Sequence, residues 1–336
     1  MQALHWDGHE LRFDPGYRTP EPRIDDGGSR IAGATGGRPP SDAKSNALIK
    51  VHLAGVCSTD LQILKGYMGF TGVPGHEFVG SVSEGPQEWL GKRVVGEINF
   101  GCGACDNCRR DLSRHCPNRS VMGIVNADGA FAEYVAVPVA NLHFVPDSIS
   151  DEEAVFTEPL AAACEILAQI QINHGDDILV LGDGNLGNLC AQVLRLTGAK
   201  VTALGKHAGK LAAIRKTGVR TIQLNDWQPR LFDIVVEASG SASGLELALS
   251  AVLPRGTLIL KSTIAGKHEV SLATIVINEI NVIGSRCGPF PDALDALAAK
   301  RVAVTALIEA SFSLKDGVEA VQRAAQLGAR KILLQP

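Results

Sequence analysis

Aromatic side chains are scarce in this chain: three Trp, three Tyr and ten Phe make up 5% of its 336 residues. Glycine is plentiful instead, at 36 residues, which points to the many tight turns of an α/β enzyme. No excess of positive charge exists either, since 32 Lys and Arg face 36 Asp and Glu for a formal charge of −4. A nucleic-acid grip, which would call for a basic domain or stripe, is therefore not expected. No apolar run approaches the roughly 18 residues of a membrane span, so no membrane partner is expected. The charged opening, with His5, Asp7, His9 and Glu10, also lacks the pattern of a secretory signal. At 45% hydrophobic residues the chain is too apolar to be disordered, and its length suits two domains.

Four of the eight cysteines fall within one short stretch: Cys102, Cys105, Cys108 and Cys116. Two-residue spacings let thiolates converge on one tetrahedral ion, and the longer step closes the loop. A closed shell of four thiolates leaves no open position, so zinc held by this loop (about 100–117) is expected to be structural. Disulfides and an iron–sulfur cluster are the alternatives. Cys164 and Cys190 lie on apolar helix faces and read as core. Cysteines spent on metal suit a reducing cytoplasm better than a secreted framework.

Two textures divide the chain. Up to about 146, short strands broken by Gly and Pro (Ala47 to Leu53, Val79 to Val82, Arg93 to Ile98, Phe131 to Val137) predict a β-rich domain. Within it, Arg18 to Asn46 is rich in Gly, Pro, Asp and Ser and reads as an exposed excursion. From Asp151 helices and strands alternate, the pattern of a doubly wound parallel sheet. The first of these strands runs into Gly182-Asp183-Gly184-Asn185-Leu186-Gly187 and then a helix. That order suits a dinucleotide: a tight turn, close backbone approach to a pyrophosphate, and a helix N-terminus for its charge.

An acid normally ends the second strand of an NAD site, yet no Asp or Glu occurs from Gly184 through Asn225. Gly205, Lys206 and His207 stand there, with Lys210 close behind. A small residue with cations suits a 2′-phosphate, so NADP is expected to be preferred, with NAD possible.

A dispersed set remains: Cys57, His76-Glu77 and Glu158. One thiolate, one imidazole and one or two carboxylates form an incomplete shell with room for water or a substrate oxygen. Cys57-Ser58-Thr59-Asp60, Gly75-His76-Glu77-Phe78-Val79-Gly80, the cysteine loop and Glu158-Pro159-Leu160-Ala161 together resemble the zinc-dependent alcohol dehydrogenases. These belong to the medium-chain dehydrogenase/reductase superfamily, and the Glu-Pro-Leu form is similar to the sorbitol and threonine dehydrogenase branch. The likeness continues through Glu237-Ala238-Ser239-Gly240 and Gly284-Ser285-Arg286.

The resemblance implies a GroES-like catalytic domain over 1–146, completed by 289–336, and a Rossmann domain over 147–288. It implies two zinc ions per chain. The catalytic one would be held by Cys57 and His76 with Glu77 or Glu158, two carboxylates that exchange roles in relatives. Asp60 matches an acid that orients the histidine, and Thr59 the hydroxyl that takes the alcohol proton. Ser239, Ser285 and Arg286 would join the loop residues and Gly205 to Lys210 around the cofactor. The implied reaction is hydride transfer between NAD(P) and an alcohol or carbonyl, by a homodimer or homotetramer. Two departures stand out: Gln62 replaces a relay histidine found in some relatives, and the 18–46 excursion is long. Lys261 and Cys287 are candidate neighbours of the cofactor, and His52 reads as barrel structure. Tyr67, Met68, Phe70, Phe100 and Phe290 are candidates to line an apolar cleft. A zinc-free reductase of activated double bonds and a zinc-stabilised binding module are the competing readings.

Overall fold

The computed structural model describes residues 1–22, 45–263 and 270–336; most of the 18–46 excursion thus lies outside the described residues. The chain forms two compact units, Met1–Glu158 with Ala310–Pro336, and Pro159–Glu309.

The first unit is built on a seven-stranded sheet whose order is Leu142–Phe144, Arg93–Gly96, Glu77–Glu84, Asn46–Gly55, Lys331–Gln335 and Ile308–Ser313. Tyr134–Pro138 also pairs with Asn46–Gly55, making that ten-residue strand the hub. Its buried side chains, Ala47, Leu48, Ile49, Val51, Leu53 and Ala54, are aliphatic, as a chain poor in aromatics requires. An N-terminal hairpin, Ala3–Trp6 with Leu11–Asp14, adds Trp6 to a cluster with Ile63 and Phe70.

The second unit carries a six-stranded sheet ordered Arg220–Gln223, Lys200–Gly205, Asp177–Leu181, Phe232–Glu237, Val252–Leu260 and Asn281–Gly284. Every adjacent pair is parallel. Strand direction and order make it a doubly wound sheet, whose ligand crevice lies beyond the carboxyl ends where the order reverses, between Asp177–Leu181 and Phe232–Glu237.

The units divide later than composition suggests, and packing explains why. Asp151 bonds to His52 and Arg93, and Phe156 is buried near Lys331, so 147–158 stays with the first unit. Gln192 exchanges hydrogen bonds with the main chain of Ala303, which keeps the segment after helix Phe290–Ala298 with the parallel sheet. Helix Thr157–Gln169 runs through Pro159, because a proline in the first turn lacks only an N–H that would have no helical partner.

Candidate active site

Cys57 follows the hub strand and stands at the N-cap of helix Ser58–Ile63. Asp60, in that helix's first turn, accepts the Cys57 N–H through Oδ2 at 2.8 Å. Its Oδ1 lies 3.1 Å from Nδ1 of His76, an ion-pair distance without hydrogen-bond alignment. Glu77 opens the neighbouring strand and His76 stands just before it; they are 1% and 3% exposed. The result is a knot of buried His76 and Glu77 with half-buried Cys57: one ligand atom each lies within 4.8 Å of the others. Glu158 is not part of that group; it lies in the first turn of a helix, whereas Glu77 opens the strand that follows His76 directly.

Glu77 has a partner absent from the sequence reading. Lys331, from the last strand, reaches across the sheet to Glu77 Oε2 and to the Val56 carbonyl at 3.3 Å, with its Nζ 5.6 Å from the Phe156 ring centroid. Gly55 makes room, since a Cβ there would stand 2.4 Å from Glu77 Oε2. Burial alone would lower the Lys331 pKa, but the Glu77 carboxylate and the Cys57 sulfur outweigh it and raise it. His76 behaves alike: burial disfavours its cation, yet Asp60 and Cys57 hold its pKa well above the usual value.

These residues fit a metal ion. Glu77 Oε1 is buried without a hydrogen-bond partner among the described residues. Buried polar atoms seldom stay unpaired, and a thiolate, an imidazole and a carboxylate side by side are borderline-soft donors of the kind zinc takes. With Nδ1 turned to Asp60, His76 presents Nε2. Thr59 Oγ1 stands 3.7 Å from Cys57 Sγ.

The four-cysteine loop gathers its sulfurs within 4.8 Å of one another. Cys105 Sγ is 3.5 Å from Cys108 Sγ and 3.7 Å from Cys116 Sγ. A tetrahedral zinc with bonds near 2.3 Å separates its thiolates by about 3.8 Å, whereas a disulfide needs about 2.05 Å. The disulfide alternative therefore fails. Backbone N–H groups of Ala104 and Cys105 pull the Cys102 pKa down to about 6, giving the thiolate that metal binding needs. Burial pushes Cys164 up to about 12 and Cys190 up to about 11, so these are inert core thiols.

In the second unit, Gly182 ends the first parallel strand, where a Cβ would meet the Ala238 carbonyl at 2.4 Å. Gly187, in helix Asn185–Arg195, lies so close that its Cβ would stand 2.2 Å from the Gly182 carbonyl. Gly184, the N-cap between them, faces open space, and no side chain caps the helix. With Asn185 and Leu186 in the first turn, the loop leaves a cradle for a pyrophosphate. Gly205 closes the second strand, followed by exposed Lys206, half-buried His207 and half-buried Lys210.

Other candidates find different employment. Ser239 donates its hydroxyl to Glu237 Oε1 at 2.6 Å. Lys261 is buried and donates to the Ala162 carbonyl, Ser285 Oγ and the Arg286 carbonyl, at 2.6, 3.0 and 3.1 Å. It is a latch on the 285–286 segment, not a free cation. Arg286 itself is exposed and Cys287 half-buried. Phe70 and Phe290 are buried, Tyr67 packs beside Phe70, Phe100 is half-buried, and Met68 is exposed. His52 bridges Asp151 (2.9 Å) and Ser81 (3.0 Å) in a serine–histidine–aspartate row. Ser81 sits inside a strand paired on both sides, which suits bracing better than nucleophilic attack.

Residues 43–147 match the alcohol dehydrogenase GroES-like domain, and 186–301 the zinc-binding dehydrogenase family. The L-threonine 3-dehydrogenase of Chelativorans sp. is 32% identical over 267 residues, 73% of this chain and 77% of that one. D-arabinitol dehydrogenase 1 of Uromyces fabae is 29% identical, with 86% and 89% covered. Among solved structures, a protein of Sinorhizobium meliloti 1021 described as a zinc-binding dehydrogenase and bound to NADP superposes with a TM-score of 0.86. It is 26% identical, with 100% of this chain and 99% of that one covered. Metal-ligand knot, cysteine loop, glycine loop and relatives agree: the chain belongs to the zinc-type alcohol dehydrogenases of the medium-chain superfamily, in the sorbitol/threonine branch, and is an NAD(P)-dependent alcohol/carbonyl oxidoreductase.

Proposed function

We propose that Cys57, His76 and Glu77 hold a catalytic zinc, that Cys102, Cys105, Cys108 and Cys116 hold a structural one, and that the substrate is a secondary alcohol or polyol, or the matching ketone or aldehyde. The observation that carries the reading is the buried knot, with its clustered ligand atoms and the orphaned Glu77 Oε1. Zinc held there would supply a Lewis acid able to lower the pKa of an alcohol oxygen, and a bound nicotinamide would supply the hydride acceptor. Asp60 keeps His76 facing the metal. Lys331 offsets the charge of Glu77 through Oε2, which would leave Oε1 to hold the ion. Thr59 receives the alcohol proton by hydrogen bond. The amide of Gln62 cannot titrate near neutral pH, so the proton leaves that region by ribose and water or by another group. Glu158 would take the other role seen in relatives, on a water at the ion.

The polyol part of the reading rests on relatives named for arabinitol and sorbitol. Lys206, His207 and Lys210 favour the 2′-phosphate of NADP. Oligomerisation is supported by strand Asn281–Gly284, an end strand of its sheet, and by Leu272, Val276 and Ile277, which are 68%, 73% and 79% exposed. Such an edge and apolar patch suit a second copy in a homodimer or homotetramer. Eight free cysteines suit the cytoplasm.

The test is absorbance at the nicotinamide band with NADPH and NADH against a panel of ketones, aldehydes and polyols, beside metal analysis of the same preparation. Turnover that disappears on chelation and returns with zinc is the expected result. Reduction of activated double bonds by metal-free protein would overturn the assignment.

A further inference from the structure

One carboxylate at the nucleotide loop plays no part in the reading above. Asp183 lies between the first two glycines, at the carboxyl end of strand Asp177–Leu181, and its side chain is only 9% exposed. Its Oδ2 accepts the His207 N–H at 2.6 Å, and its Oδ1 stands 3.0 Å from His207 Nδ1. The carboxylate has thus crossed from the glycine loop to the end of the neighbouring strand, where the chain has no acid of its own. Gly205 makes the crossing possible: a Cβ on it would lie 2.5 Å from both Asp183 Cβ and Asp183 Oδ2. The space beside the second strand holds one acidic side chain, and here it comes from the first loop.

We propose that Asp183 reads the 2′ position of the cofactor ribose, in place of an acid on the second strand, and so lets the chain accept the unphosphorylated dinucleotide beside the phosphorylated one. The proposal rests on the dinucleotide reading of the glycine loop. An ionised carboxylate offers about four acceptor positions. His207 occupies two of them, which leaves capacity for a ribose hydroxyl. A phosphate at the same carbon carries charge of the same sign as Asp183 and meets repulsion there, against the pull of Lys206 and Lys210. Asp183 and the cations therefore bias the choice in opposite directions.

The experiment measures equilibrium binding of NADH and NADPH to the zinc-loaded full chain by nicotinamide fluorescence. It compares wild type, Asp183→Ala, Asp183→Asn and the double variant Asp183→Ala/Gly205→Asp. Loss of a charge-assisted hydrogen bond is expected to weaken NADH binding in Asp183→Ala by about tenfold or more, while NADPH binding holds or tightens. Asp183→Asn keeps the shape and should shift the ratio in the same direction. The double variant returns an acid to the vacated space and should restore NADH binding. A ratio of affinities unchanged within about twofold in both single variants overturns the proposal, as does an equal loss for both cofactors, which marks a purely structural aspartate. If wild type binds neither, the dinucleotide reading itself falls; wild type binding with an unmoved ratio sinks only the role of Asp183.

Discussion

Replacing Lys331 by Met isolates the electrostatics of the Glu77 pocket. Methionine keeps most of the side-chain volume, so the change removes a charge and its hydrogen bonds without opening a large cavity. What remains is the Glu77 carboxylate, 1% exposed, with its opposite charge gone and both oxygens lacking a hydrogen bond among the described residues. Breaking a buried ion pair on one side costs about 3–5 kcal/mol, because the surviving charge is left desolvated. At about 2–4 °C per kcal/mol for a unit of this size, the metal-free protein should melt roughly 6–20 °C lower. A divalent ion at Glu77 replaces the lost positive charge, so the deficit should shrink when zinc is present. Glu77→Gln/Lys331→Met should be less damaged than the sum of its single variants, since neither charge then stands alone. Thermal melts by circular dichroism, with and without chelator, decide it. A metal-free Lys331→Met protein melting within about 2 °C of wild type would refute the reasoning.

Two further outcomes follow from the metal knots. The proton on His76 favours the metal-free fold because the folded pKa is raised well above 6.5; that contribution is present below pH 6.5 and is lost as pH rises through the raised value. In metal-free protein, wild type should lose this stabilisation in melts scanned across that window, and Asp60→Asn should show a smaller loss. Binding of zinc needs the neutral ring, so affinity measured by competition with a chelating dye should fall on acidification, and at lower pH in Asp60→Asn. Cys102→Ser should lower bound zinc by one ion per chain on elemental analysis and open the 102–116 loop to protease; unchanged zinc content would contradict the four-thiolate site.

Much of this architecture is legible in the sequence because its signals are local. Glycine spacing after an apolar strand marks the loop that opens helix Asn185–Arg195, and cysteine spacing marks the loop where four sulfurs gather; in both, the residues that come together are neighbours along the chain. The hairpin Ala3–Trp6 with Leu11–Asp14 escapes notice because four-residue strands carrying His5 and Arg12 show too little alternation. Lys331 escapes for the opposite reason. It opens an apolar strand, Lys-Ile-Leu-Leu, where a cation reads as a solvated edge, and its partner lies 254 residues away. The missing acid of the second strand is a true absence in the sequence, yet the Asp183 carboxylate reaches that strand end from the loop after its neighbour, which only a parallel register can reveal. Glu77 and Glu158 look equivalent until the sheet puts one of them beside His76.

Strand Lys331–Gln335 pairs with the strand that leads into Cys57, joining two segments of the first unit that the whole second unit separates in sequence. On a ribosome, which issues residues at roughly 5–20 per second, the middle of the chain can collapse on its own while the first-made half still waits for its closing piece. Until strand Lys331–Gln335 has been made, the buried Glu77 carboxylate lacks its lysine partner, so the ion pair at the heart of the first unit forms only after the second unit has been synthesised.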